Sequence, residues 1–252
     1  MIAIGRRVYG LGAIGLALVS LKYGDAAAVW LPAPAHMPGR QILVYALIGL
    51  LLLAGLAINL ARTAALGALV LAAIFALTTL VLRLPDILAG PTDWGGWENI
   101  AEAVAMALGG VLAWTQTPGI NETRAGAVAR FARLAFGACL VIFGISHFVY
   151  AKFTASLVPA WLPPSQMFWA DATGLAQIAA GLAMLSGVQA RLAAILLTVM
   201  YAGFGLLVHI PSIVAAPHVA NNWSENAINF LLLGAAWTLA DSLGARKGVR
   251  VI

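Results

Sequence analysis

The chain has 252 residues, 62% of them hydrophobic and only 9% charged, with a mean hydropathy of +0.95. A soluble domain carries about 25% charged residues, so apolar helices here would have little polar surface to turn to water, and a water-soluble globular fold is excluded. The formal net charge of +5 would suggest nucleic acid in a soluble protein; here the basic residues gather at helix ends, which ties them to membrane topology, and no nucleic-acid partner is expected.

Apolar runs follow one another at 8–21, 42–60, 64–82, 100–114, 131–150, 168–185, 192–208 and 227–239. With their flanks, most approach the roughly 20 residues that cross a bilayer. The pattern predicts an all-α polytopic membrane protein of about eight transmembrane helices, the first and fourth being among the shortest. The first segment has the outline of a secretory signal, with Arg6 and Arg7, an apolar run and then Ala26, Ala27 and Ala28. It has a counterpart in the second half of the chain and is therefore read as a structural helix.

Displaced by 126 residues, "AGLA" at 54–57 falls on "AGLA" at 180–183. The same offset pairs Arg7 with Arg133, Pro85 with Pro211, Pro91 with Pro217 and Trp97 with Trp223, after which "WEN" becomes "WSEN". This predicts two four-helix-bundle repeats, 1–116 and 128–252, joined by a polar linker at 117–127. An even number of crossings makes the repeats parallel, related by an axis along the membrane normal. With the N-terminus cytoplasmic, the inner helix ends hold Arg6, Arg7, Arg62, Arg124, Arg130, Arg133, Arg191, Arg246, Lys247 and Arg250, and the outer ends only Lys22, Arg40, Arg83 and Lys152. That asymmetry places both termini in the cytoplasm.

The outer connections are long and carry the polar residues. "RLPDILAGPTDWGGWEN" begins at Arg83 and "HIPSIVAAPHVANNWSEN" at His209, each read as the loop between the third and fourth helices of its repeat. Pro85, Pro91, Pro211 and Pro217 are expected to end helices and stiffen these loops. Trp30, Trp94, Trp97, Trp161, Trp169 and Trp223 fit an interfacial aromatic belt.

The candidate ligand-binding residues all belong to the second repeat: His147 and Lys152 near the end of its first helix, Asp171 in its second, His209 at the end of its third, and Trp223, Glu225 and Asn226 opening its fourth. Alternating helix directions put these ends at similar depth. A neutral histidine can pass protons, ligate a metal or hydrogen-bond a carbonyl such as a quinone oxygen, and a carboxylate opening a helix is favoured by the helix dipole. A structural polar network uses the same residues, and the two readings stay open side by side. His36 and His218 fall in loops. In the first repeat Arg83 replaces His209, and Arg83 with Glu98 reads as a structural ion pair. No metal or haem spacing is present, and no flavin or iron–sulfur signature is found. The single cysteine, Cys139, rules out a disulfide or dithiol pair within the chain and reads as a small packing residue.

"GISHFVYAKFTASLVPAWLP", "GLAQIAAGLAML", "RLAAILLTV" and a tryptophan and glutamate before a Leu-rich helix together resemble the DoxX-like family of four-helix membrane proteins over roughly 130–241, with the first repeat a more divergent copy. The resemblance implies a bacterial inner-membrane protein and a connection to quinone-linked redox chemistry; it supplies no catalytic residue. The function expected is that of a redox-associated subunit holding a quinone or similar small apolar molecule in an outward-facing pocket, with membrane lipids and a redox protein as partners. The alternative is a non-enzymatic lipid-binding or complex-assembly protein, and a third option is a transporter.

Overall fold

The computed structural model describes residues 4–25 and 37–245. His36 and Trp30, expected in the first outer loop, and Arg246, Lys247 and Arg250 lie outside the described residues. The described residues are mostly helical, with no strand among them. Helix α1 spans Ile4–Tyr23, α2 Arg40–Ala57 and α3 Ala64–Leu77, which runs through a π-helical segment, Thr78–Arg83, into α4, Leu84–Ala89. Then come α5, Trp94–Thr115; α6, Glu122–Val149; α7, Ala151–Leu157; α8, Gln166–Ser186; and α9, Ala190–Phe204, which continues through a second π-helical segment, Gly205–His209, into α10, Ile210–Ala215. Helix α11, Ala220–Ala245, closes the described chain.

Seven helical runs among the described residues are long and apolar enough to cross a membrane: Ile4–Tyr23, Arg40–Ala57, Ala64–Ala89, Glu122–Val149, Gln166–Ser186, Ala190–Ala215 and Ala220–Gly244. Large apolar side chains such as Ile42, Leu53, Val199 and Leu206 face outward along them, as a lipid-facing perimeter requires and a water-facing one would not. The fold is that of an all-α, multi-pass membrane protein. The expected fourth crossing, α5, is 22 residues long but is not among the seven. It carries Glu98 and Glu102, and it lies inside the assembly with α3, α6 and α11 packed around it, so it does not need an apolar exterior.

Neighbouring helices follow the order α1, α2, α3, α5, α6, α8, α9, α11 and back to α1, with α5 also touching α11 across the middle. The first and fourth helices of each half barely meet or do not: α1 lies along α11, and α6 along α5. Glycines permit the first of these contacts. A β-carbon on Gly5 would lie 2.3 Å from the Thr238 nitrogen, and one on Gly234 2.4 Å from the Tyr9 backbone. Small residues are what bring helix backbones together where lipid supplies no hydrophobic drive. Tyr9 adds a hydrogen bond of 2.6 Å to the carbonyl of Met106 in α5.

Three boundaries differ from expectation. The polar linker is shorter than 117–127, because Asn121 caps α6 by accepting a 3.0 Å hydrogen bond from the Arg124 N–H and Glu122 sits in the first turn, where the dipole favours it. The two outer "loops" are largely helix: only 90–93 and 216–219 are non-helical. Pro85 and Pro211 therefore stand inside helical runs instead of ending them. Each lacks an N–H and crowds the carbonyl four residues back; the π-helical segments relieve this by shifting hydrogen bonds one residue further, Leu84 N–H to Thr79 O and Ile210 N–H to Gly205 O.

Candidate functional site at the upper end of the second half

We call upper the end where α6 finishes and α11 begins. His147 occupies the last turn of α6, where Gly144 and Gly174 let α6 and α8 approach closely: a β-carbon on Gly174 would lie 2.7 Å from the His147 β-carbon. The His147 Nδ1 lies 3.0 Å from the Ala170 carbonyl oxygen and 3.1 Å from the Thr173 Oγ1. A carbonyl only accepts, so Nδ1 carries the hydrogen. The Thr173 hydroxyl spends its own hydrogen on the Trp169 carbonyl at 2.7 Å, which leaves its lone pairs for the ring. In the neutral imidazole the Nε2 is then a bare acceptor. One face of the ring stacks on Phe204, with centroids 6.4 Å apart and planes at 27°.

A second group of polar residues follows Phe204 in the chain. His209 ends the π-helical segment, with its Nδ1 3.8 Å from the Glu225 Oε2, the two side chains being 17% and 34% exposed. This is an ionic contact beyond hydrogen-bond length, and the His209 Nδ1 is buried with no hydrogen-bond partner among the described residues. The Glu225 Oε1 accepts from the Asn221 Nδ2 at 2.7 Å. Asn226 and Asn229 flank Gly205: a β-carbon there would lie 3.2 Å from the Asn229 Nδ2 and 3.7 Å from the Asn226 Oδ1. Asn222 ties the end of α10 to α11 through the Ser212 carbonyl at 2.9 Å.

Trp223 donates to the Pro217 carbonyl at 2.9 Å, Trp97 to Pro91 at 3.0 Å and Trp169 to Pro163 at 2.8 Å. In each case the indole of an early helical turn reaches back six residues and locks the preceding turn. Pro217 also accepts from the Tyr23 hydroxyl at 3.2 Å, and the Lys22 ammonium lies 4.4 Å from the Trp223 ring centroid. The end of α1 thus roofs the start of α11. The matching corner is built by α5 on α6: the Trp94 indole donates to the Ser146 Oγ at 2.8 Å, and Glu98 lies beside the same hydroxyl.

Among the described residues the contacts form two groups, His147 with Ala170, Thr173 and Phe204, and His209 with Glu225 and Asn221, and no hydrogen bond or ion pair joins the two. Lys152 is exposed on α7 and Asp171 is half-buried on α8; neither joins these groups through a hydrogen bond or ion pair among the described residues. No three of the His, Cys, Asp and Glu side chains among the described residues come together to hold a metal ion, so His147, His209, Glu225 and Asp171 do not form the metal set their chemistry would allow. Arg83 ends the first π-helical segment, as His209 ends the second. His218 is exposed in the 216–219 turn, and Cys139 is buried in the core. Sequence reasoning missed Thr173 and Phe204 around His147, and Lys22 and Tyr23 over Trp223. The first two are ordinary residues whose role depends on the α6–α8–α9 packing, and the second two come from the other half of the chain.

Fold and site together are those of a polytopic helical membrane protein with polar residues collected at one end of its helices. Residues 136–240, from α6 into α11, match the family model described as a domain of unknown function, DUF8561. Comparison with curated proteins found no match, and comparison with solved structures found none.

Proposed function

We propose that the upper end of the second half binds a quinol or a similar small lipophilic molecule bearing a hydroxyl, and that the chain is a DoxX-like, redox-associated subunit of a bacterial inner membrane. The observation that carries this is the 3.0 Å contact between the His147 Nδ1 and the Ala170 carbonyl oxygen. With Nδ1–H given to Ala170, the neutral ring offers a lone pair at Nε2, which accepts from a hydroxyl; a quinone carbonyl would need the imidazolium. The sequence-based expectation of a carbonyl contact is thereby refined toward the reduced form. Phe204 supplies an aromatic wall for a flat ring. As electrons leave for a redox partner protein, Nε2 is placed to take the hydroxyl proton, and the His209–Glu225 pair is the neighbouring couple that can receive it.

The two-repeat reading belongs to this proposal. The bounds of α2 and α8, of α3 and α9, and of the two π-helical segments recur at the 126-residue offset to within a few residues, which supports two parallel repeats that exchange their first helices' partners. Arg83 and Glu98 then occupy the first-repeat positions of His209 and Glu225, as a structural pair. Basic residues at the lower helix ends support cytoplasmic termini.

The test is mass spectrometry of the organic extract of protein purified in mild detergent, wild type beside the double variant His147→Ala/Glu225→Gln. The proposal expects quinol or quinone near one per chain in wild type and none in a variant that still elutes as a folded species. Phospholipid alone in both samples would overturn it in favour of an assembly or lipid-binding role.

A further inference from the structure

Helices α5, α6, α8, α9 and α11 each pack on the next and close a ring. Two polar side chains are buried within this bundle with a hydrogen-bonding atom unmet: Gln177 of α8 and Tyr201 of α9. Each is 3% exposed, and the Gln177 Oε1 and the Tyr201 hydroxyl have no partner among the described residues. Buried polar atoms are ordinarily paired, and the demand is stricter inside a membrane, where no bulk water is at hand.

Both groups continue the surroundings of His147. Gln177 stands four residues beyond Thr173 on the same face of α8, and Tyr201 three residues before Phe204 on the same face of α9. Helix α8 runs downward and α9 upward, so each lies about 5 Å below the residue that touches His147. The Tyr201 and Phe204 rings meet edge to face with centroids 6.1 Å apart, which prolongs the stack of His147 on Phe204. Tyr201 also faces across the ring of helices, where Cys139 of α6 and Glu102 of α5 are within electrostatic range of it. Its backbone is tied to α11 by the Asn229 Nδ2, which donates to the Tyr201 carbonyl at 2.9 Å.

The first half shows that packing alone does not call for these groups. At the 126-residue offset Gln177 falls on Leu51, Tyr201 on Phe75 and Cys139 on Ala13, and all three first-half residues are fully buried. Tyr201 differs from Phe75 by one hydroxyl. Where the first half closes its interior with apolar side chains, the second half keeps two unmet polar atoms beneath its histidine, although burying such atoms unpaired is costly.

We infer that Gln177 and Tyr201 bind the second oxygen of the molecule whose first hydroxyl meets His147, so that the site selects an aromatic ring with hydroxyls at opposite ends. The inference rests on the quinol reading of the upper end and adds the part of the site that recognises the far side of the ring. One helical turn, about 5.4 Å, matches the span between the para oxygens of a quinol. The His147 Nε2 accepts from the upper hydroxyl. The Gln177 Oε1 accepts from the lower one, and the Tyr201 hydroxyl donates to the same oxygen. A molecule with a single hydroxyl leaves the lower pair unmatched, and sites built to hydrogen-bond a hydroxyl discriminate against analogues that lack it.

The experiment uses the full chain in detergent without oxygen, with calorimetric titration of duroquinol and of tetramethylphenol, the same ring with one hydroxyl replaced by hydrogen. Wild type is compared with Gln177→Leu/Tyr201→Phe, which installs the residues of the first half. The preference for duroquinol over tetramethylphenol should fall about tenfold in the variant, the worth of a good hydrogen bond to a buried group. Partition into detergent is common to both proteins and cancels from this comparison. The variant should melt no lower than wild type, because it loses only polar atoms that had no partner. Tyr201→Phe alone removes one oxygen atom and keeps the test open if the pair does not fold; it should cut the preference about threefold or more. Duroquinol binding that His147→Gln weakens, with the preference unchanged in the Gln177 and Tyr201 variants, would overturn the inference and leave the upper-end reading in place. Absence of duroquinol binding to wild type would overturn both.

Discussion

The Nδ1 of His147 and the carbonyl oxygen of Ala170 lie 3.0 Å apart across α6 and α8, and this contact decides which nitrogen of the ring is left for a ligand. In ¹⁵N spectra of histidine-labelled protein, the resonance assigned by comparison with His147→Gln should be that of an Nδ1–H, Nε2-bare neutral ring. An Nε2–H tautomer in the ligand-free protein would contradict the assignment.

Gly174 is where His147 gets its room. Gly174→Ala places a β-carbon 2.7 Å from that of His147, and overpacking of this kind costs about 1–3 kcal/mol. The variant should unfold several degrees earlier in detergent and lose co-purifying ligand. Gly203→Ala, whose added carbon meets nothing within 4 Å, should leave both unchanged.

The tryptophan-to-proline bonds differ in redundancy. Pro217 also accepts from Tyr23, at 3.2 Å, whereas Trp97 is the donor the structure shows for Pro91. Replacing an indole by a phenyl ring removes the N–H, so Trp97→Phe should cost about 1 kcal/mol and Trp223→Phe less. Thermal melts of the two variants rank them.

His209 and Glu225 stand 3.8 Å apart at partly exposed positions. In the absence of ligand, a double-mutant cycle of His209→Gln and Glu225→Gln should return a coupling below about 1 kcal/mol. Addition of the bound molecule should raise that coupling if the pair receives its proton.

The helical rods were legible because bilayer thickness imposes a length on apolar runs that composition alone reveals. The end of the linker at Glu122 was legible too, through Asn121, had its capping role been weighed against the turn-forming "TPG" before it. The stretch from His209 to Asn226 was misread because proline was given its usual meaning of a stop. In a helix that can widen by one residue it is instead the cause of a π-helical segment, which no periodicity shows. The stacking of His147 on Phe204 was equally out of reach: it depends on how α9 packs beside α6 and α8, which no local pattern in the chain encodes. Exchange of partners between halves, with Lys22 over Trp223 and Trp94 on Ser146, depends on backbone approach through Gly5 and Gly234, whose spacing looks ordinary in an alanine- and glycine-rich chain.

The most direct measurement is photolabelling of the full chain in native-like membranes with an azido-quinol, followed by peptide mapping. The account predicts modification concentrated at the upper ends of α6, α8 and α9 around His147, Thr173 and Phe204, suppressed by excess unlabelled quinol and lost in His147→Gln. Labelling spread along the lipid-facing helices, unaffected by competitor or by the substitution, would contradict it.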